Sequence, residues 1–328
     1  MAETARALWY NAPRTGLLRP TALPPLDDRL VEVATLHSVL SRGTERLVWE
    51  GRVPPAEHAR MRAPFQEGDF PFPVKYGYAA VGRVLAGPAD LAGRTVFALH
   101  PHQDRFRLPV GAVLPVPPAV PPRRAVLAAN METALNAIWD AEPRPGARVA
   151  VVGLGVLGLL ILALLARRGD LGVTGCDILA ARAPVAADFG VKFCNPGDLG
   201  SGYDLVFHTS ATAAGLAASL AALRFEGTVI ELSWYGDAAV AVPLGAAFHS
   251  QRLTIRSSQV GHVAPRRRVA TGYRDRLGQA LALLDDPRLD RLLTGEVMFD
   301  DLPAALPHLL APGAAGIATL VTYPEEAR

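Results

Sequence analysis

Gly153, Gly155 and Gly158 stand in the spacing Gly-x-Gly-x-x-Gly within VAVVGLGVLGLLILALLARRGD, the run from Val149 to Asp170. After a strand and before a helix, each glycine has a mechanical task. The first makes a tight turn, the second lets backbone approach a pyrophosphate, and the third packs the helix against the strand. The chemistry implied is dinucleotide binding. Gly153, Gly155, Val156, Leu157 and Gly158 then form the cofactor loop, and the helix N-terminus receives the phosphates. Asp177 ends the run GVTGCD, nineteen residues past Gly158. A carboxylate there accepts hydrogen bonds from a ribose 2′-hydroxyl and repels a 2′-phosphate, which favours NAD(H) over NADP(H). Ser210, at the end of YDLVFHTS, is counted with the cofactor-binding residues.

The elements around these residues have to hold them in place. From Val149 the run has eighteen residues without a charge, enough on length alone to suggest a membrane span. The glycines divide it. ARVAVV (Ala147 to Val152) reads as a strand buried on both faces, and VLGLLILALLARR reads as a helix closed by Arg167, Arg168 and Gly169. A helix from about Ala181 to Phe189, a strand over Tyr203 to Ser210, a helix from about Ala213 to Arg224 and a strand over Gly227 to Trp234 continue the alternation. The expected fold class is α/β, with a doubly wound parallel sheet.

The flanks have another texture. Prolines cluster in RPTALPPLDD and VLPVPPAVPP, and segments such as RLVEVATLHSV suggest strands of an antiparallel or mixed β domain. Pro115 to Pro122 reads as a connector. Past Ser258 a helix around Tyr273 to Leu284 and a strand over Gly316 to Tyr323 are expected. The division expected is 1–122 for the first part of the β domain, 123–258 for the dinucleotide domain, and 259–328 for a segment returning to complete the first.

Composition narrows the partner. The chain has 328 residues, half of them hydrophobic, and its 33 basic and 31 acidic side chains nearly cancel. Nothing in that balance points to nucleic acid or an anionic membrane, so a small-molecule substrate is expected. The basic stretch APRRRVATGYRDR (Ala264 to Arg276) has a single aromatic, Tyr273, and reads as a solvated loop and helix face. Two cysteines, Cys176 and Cys194, and an N-terminus without an apolar secretory core suggest a cytoplasmic protein with free thiols.

The order of elements, with VAVVGLGVLG near the middle, VKYGYAAVGRV near residue 80 and GTVIELSWYG closing the sheet, resembles the medium-chain dehydrogenase/reductase superfamily over nearly the whole chain. Within it, HSVLSRGTERLVWEGRVP (His37 to Pro54) resembles the zinc-free branch that contains the bacteriochlorophyllide hydroxyethyl dehydrogenases. The resemblance implies a GroES-like β domain joined to a Rossmann domain, an active site in the cleft between them, and a homodimer formed through the nucleotide domains. The zinc alcohol dehydrogenases of this superfamily carry a cysteine where this chain has Ser41 and a histidine where it has Tyr78. Their second cysteine falls where this chain has Ala129 or Asn130, and the cysteine-rich structural lobe has no counterpart between Val96 and Arg123. Serine, tyrosine and alanine do not make a zinc site, so no metal is expected.

Without a Lewis acid, a side chain must polarise the reacting oxygen. Tyr78 is the first candidate, with Ser41 and Thr44 as a hydroxyl relay and His100, in VFALHPHQ, as a proton shuttle near pH 7. His102 is a weaker candidate for that shuttle. Each has a plainer reading: an aromatic filling vacated space, two turn residues, packing histidines. By the same resemblance Arg42 contacts the cofactor pyrophosphate and Thr133 lies beside the nicotinamide ring, against a surface arginine and a helix-packing threonine. His249 and Tyr235 fall near the carboxyl end of the sheet, where substrate could touch them. The function implied is a zinc-independent, NAD(H)-dependent oxidoreductase interconverting a secondary alcohol and a ketone on a specialised small molecule. An NADPH-dependent enone or quinone reductase is the alternative enzyme, and a non-catalytic dinucleotide-binding or redox-sensing protein is the alternative of another class.

Overall fold

The computed structural model describes residues 3–324 in two units, one running to Ala129 and joined by Leu281–Asp285 and the chain from Leu293 on, the other Asn130–Ala280 with Asp286–Leu292. In chain order the first stretch supplies β1 (Thr4–Ala12), β2 (Thr15–Ala22), β3 (Leu30–Leu40), α1 (Arg42–Trp49), β4 (Glu67–Gly68), β5 (Val74–Lys75), β6 (Ala80–Ala86), β7 (Thr95–Ala98), β8 (Arg105–Pro109), β9 (Val113–Pro115) and α2 (Pro122–Ala125). The middle supplies α3 (Ala128–Ala141), β10 (Arg148–Val152), α4 (Val156–Ala166), β11 (Gly172–Cys176), α5 (Ala183–Asp188), β12 (Lys192–Cys194), β13 (Tyr203–His208), α6 (Ala213–Ala222), β14 (Leu223–Glu231), β15 (Thr254–Ser257) and α7 (Tyr273–Ala282). Then come β16 (Leu293–Met298), α8 (Leu302–Leu309) and β17 (Ala318–Thr322).

The first unit is mostly β. One sheet runs β16-β17-β3-β6-β7-β9 with β8 also paired to β3, and a smaller one runs β2-β1-β5-β4. Val31, Val33, Val84, Val96 and Phe106 pack in its core. The last strand belongs here: β17 lies antiparallel to β3, pairing Thr319 with Leu40 and Thr322 with His37.

The second unit holds a six-stranded sheet in the order β12-β11-β10-β13-β14-β15, parallel at every pair. The fold is thus mixed α/β. Its two edge strands, KFC and TIRS, were not expected from the sequence, being short and lacking the apolar run of a central strand. The expected helix from Ala181 instead opens as a 3₁₀ turn, Ala180–Arg182, before α5.

Helix α4 resolves the long uncharged run. Its residues from Gly158 to Leu165 are buried all round, since the sheet covers one side and α5 with the turn Pro287–Leu292 covers the other. Eleven residues reach only about 16 Å along a helix axis, roughly half a bilayer core. Among the described residues no helix is long and apolar enough to cross a membrane.

What lets α4 lie so close is Gly158: a Cβ there would overlap the Gly153 carbonyl oxygen and come 2.8 Å from Thr209 Oγ1. Gly158→Ala must therefore push the helix off its strand. The expected cost is about 1–3 kcal/mol of unfolding free energy, measured by urea denaturation. Gly155→Ala meets nothing within 4 Å and should leave stability within about 0.5 kcal/mol of wild type.

Candidate functional site

In the second unit the loop between β10 and α4 brings the expected glycines together. Gly153 takes a φ of +97°, and a Cβ on it would sit 2.6 Å from the Ser210 amide nitrogen, so the end of β13 closes directly over the turn. Gly155 caps α4 with no side-chain hydrogen bond to the first-turn amides. The amides of Val156, Leu157 and Gly158 have no partner within the helix and sum with its dipole, which makes this a seat for an anion. Asp177 follows β11, as the spacing requires. Its Oδ2 accepts from the Leu154 amide at 2.5 Å and its Oδ1 from the Leu179 amide at 2.8 Å, so the carboxylate also braces the glycine loop. A carboxylate has about four acceptor positions, and these bonds leave two. Thr133 lies half-buried in α3 of the same unit. Cys176 and Cys194 face each other across β11 and β12, buried and unbridged, and burial pushes the Cys176 thiol up to about 12.

Beside Ser210 is a cluster that sequence reasoning did not single out. His208 Nδ1 lies 2.7 Å from Glu231 Oε2, and His208 Nε2 lies 2.7 Å from Ser210 Oγ. Ser210 Oγ is also 3.0 Å from Thr212 Oγ1. The Ser233 amide donates to Glu231 Oε1 at 2.7 Å and the Tyr235 hydroxyl to Oε2 at 3.3 Å. Burial acts to raise the Glu231 carboxyl, but the hydrogen bonds from His208 and Ser233 outweigh it and the net displacement is downward. The signal was a histidine and a glutamate at the ends of adjacent strands, legible only once β13 and β14 are known to pair His208 with Glu231. Tyr235 thus touches Glu231, while His249 is exposed.

In the first unit, Ser41, Thr44 and Tyr78 do meet: both hydroxyls lie close enough to the Tyr78 phenol to pull its pKa down. Burial pushes it up to about 12 against the pull of those two hydroxyls, so Tyr78 holds its proton throughout the physiological range. Behind them is a second group that the sequence did not reveal. Glu45, on the first turn of α1, reaches back to accept the Ser41 amide at 2.8 Å. Its other oxygen accepts the Tyr10 hydroxyl at 2.9 Å and touches His102 Nε2 at 3.0 Å. His102 Nδ1 lies 2.7 Å from Ser38 Oγ, which lies 2.9 Å from the Tyr323 hydroxyl. Glu45 and His102 are fully buried, so the chain of bonds orients α1 and the Ser41 backbone from within.

Two expectations change. Arg42 does not hold its guanidinium ready for a pyrophosphate: it donates to the carbonyls of Ala314 at 2.7 Å and Ala315 at 2.8 Å, fastening α1 to the turn ahead of β17. His100 is not a shuttle poised near neutrality. It stacks on Phe106 with centroids 4.1 Å apart, and its Nδ1 lies 3.0 Å from the Pro101 carbonyl. Burial first, then the Lys75 ammonium, push it down from 6.5 to about 3. The folded value lies below the unfolded one, so the stability His100 contributes is present above about pH 6.5 and is lost as pH falls toward 3. Between pH 7 and pH 5 the unfolding free energy of wild type should fall by about 2 kcal/mol more than that of His100→Gln, as read by urea denaturation. A pH-independent difference would show that His100 titrates as a solvated histidine does.

A metal finds no ligand set at the hydroxyl cluster. Ser41, Thr44 and Tyr78 offer neutral oxygens where zinc takes thiolate and imidazole. Among the described residues, no group of three or more His, Cys, Asp or Glu is placed to hold one.

No family model matches the sequence. D-guloside 3-dehydrogenase of Escherichia coli strain K12 is 32% identical over 139 residues, which is 39% of this chain, and the match spans 40% of that enzyme's length. L-idonate 5-dehydrogenase of Escherichia coli superposes with a TM-score of 0.79 at 15% identity, over 98% of this chain and 99% of that one. A protein described as a short chain alcohol dehydrogenase of Escherichia coli CFT073, complexed with NADH, does so at 0.73 and 15% identity, over 97% and 99%. Over nearly their whole lengths these solved structures share the two-unit fold of this chain, whereas the curated relative matches only about two fifths of it.

Proposed function

We propose that the protein is an NAD(H)-dependent oxidoreductase that interconverts a secondary alcohol and a ketone on a small molecule, without zinc. The observation that carries the reading is the glycine loop: an uncapped helix N-terminus over open space at Gly155, with the Asp177 carboxylate at the end of the next strand. Guloside and idonate dehydrogenases among its likenesses favour a polyhydroxylated substrate.

A bound nicotinamide supplies or accepts the hydride. The chain's own part at the loop is to seat the pyrophosphate on the first-turn amides of α4 and the adenosine ribose on Asp177. At the hydroxyl cluster, Tyr78 donates a hydrogen bond to a carbonyl oxygen and gives up its proton as that oxygen gains charge. Ser41 and Thr44, close by the phenol, steady the phenolate as it forms and pass a proton back. A phenol that keeps its proton at neutral pH is suited to carbonyl reduction. The reverse reaction needs the same hydroxyls to take the alcohol proton, so it should gain with rising pH.

Nicotinamide fluorescence should report NADH binding at least tenfold tighter than NADPH, a gap of about 1.4 kcal/mol, and Asp177→Ala should erase it. Gly155→Ala should abolish binding of both while the protein stays folded. A preference for NADPH would instead favour the enone reductase, and no binding of either a protein without this chemistry. Tyr78→Phe should lower kcat by about 10²–10⁴ with NADH affinity unchanged. Metal analysis of the same preparations should find less than stoichiometric zinc, and stoichiometric zinc would overturn the metal-free mechanism.

A further inference from the structure

The His208 cluster has a direction that its partners fix. Glu231 in its carboxylate form only accepts, so the neutral His208 carries its proton on Nδ1 and donates to Oε2. Nε2 must then accept from Ser210. Thr212 Oγ1 accepts the Gly215 amide at 3.0 Å and is free to donate its own proton to Ser210 Oγ. All donors therefore run one way, from Thr212 through Ser210 and His208 to Glu231. Ser210 Oγ keeps one lone pair and no proton to offer.

The cluster is held tightly as well as directionally. A Cβ on Gly215 of α6 would overlap Ser210 Oγ and lie 2.7 Å from His208 Nε2, so helix backbone roofs the pair directly. His208 is fully buried, while Ser210 is half-exposed beside the glycine turn. The sheet order says which part of a ligand would meet it. Asp177 follows β11, on one side of β10, and Ser210 follows β13, on the other. A dinucleotide with its adenosine ribose on Asp177 and its pyrophosphate at Gly155 would run across the end of β10 toward Ser210, which would then meet its nicotinamide-side ribose. Resting on the dinucleotide reading above, we propose that His208 and Glu231 are positioning residues that lock Ser210 as a hydrogen-bond acceptor for a hydroxyl of that ribose.

Serine, histidine and glutamate in this order also resemble a hydrolytic triad. The amide that would help to stabilise an oxyanion there, that of Ala211, is already bonded to Ser233 Oγ at 3.0 Å.

Glu231→Gln tests the lock with almost no change of shape. The Ser233 amide donates to Oε1, so the glutamine carbonyl must take that place and its amino group must face His208 Nδ1. The imidazole is then forced to carry its proton on Nε2, and Ser210 becomes a donor. NADH affinity should fall about tenfold in Glu231→Gln and in Ser210→Ala, with AMP affinity unchanged and Ser210→Thr restoring NADH binding. Because Glu231 acts through Ser210, the double variant should bind NADH no more weakly than Ser210→Ala alone. Additive losses, an equal loss for AMP, unchanged NADH affinity in both single variants, or labelling of Ser210 by a fluorophosphonate would each overturn the assignment. A wild-type protein that binds AMP and NADH while both single variants bind NADH as tightly as it does condemns only this inference; one that binds neither condemns the dinucleotide reading and this inference with it.

Discussion

Helix α4 can rest on its sheet only because residue 158 has no Cβ. The approach of that helix to the Gly153 carbonyl sets how close its first turn comes to the end of β10, and so how near its amides stand to anything bound there. The packing behind it is unusually dry: every residue of the helix from Gly158 to Leu165 is buried, with no polar side chain among them. A helix so placed cannot rotate or slide to relieve a misfit, since close-packed interiors offer little slack. The precision of the loop therefore comes from hydrocarbon several residues away from it.

Each unit contains an acid–histidine pair that ends on a serine, with the histidine buried in both. In the first, Glu45 meets His102, which meets Ser38; in the second, Glu231 meets His208, which meets Ser210. In both, a carboxylate that can only accept determines which imidazole nitrogen donates, and the serine hydroxyl is turned accordingly. The surroundings separate them. Ser38 is buried and closes on the Tyr323 hydroxyl, so the first chain is sealed and serves the scaffold around α1. Ser210 is half-exposed beside the glycine turn, so the second chain ends where a ligand can reach it.

The parts of this molecule that were legible in the sequence are those governed by local rules. The glycine spacing, the valine-rich strand, the apolar helix with its arginine end and the carboxylate after the next strand are set by neighbours in the chain, and they lie where periodicity puts them. Edge strands β12 and β15 were not legible, because half their hydrogen bonds face outward and their side chains carry little apolar pattern. The roles of Glu45, His102, His208 and Glu231 were also hidden: His102 is 57 residues from Glu45, and His208 23 from Glu231. Arg42 shows where a resemblance misleads. It implied a pyrophosphate ligand, but the carbonyls that the guanidinium bonds lie some 270 residues downstream, at Ala314 and Ala315.

The pairing of β17 with β3 also orders events in time. As the chain leaves the ribosome, everything the second unit needs has been made by Leu292, while the edge of β3 from His37 to Leu40 still lacks its neighbour. The second unit can close on itself as a set of short-range strand–helix steps, whereas the first must wait for a partner strand made almost three hundred residues later. Until then the first unit exposes an unpaired strand edge, the kind of surface that recruits other chains. Aggregation during synthesis should therefore begin from the first unit, in a protein whose finished fold leaves that edge covered.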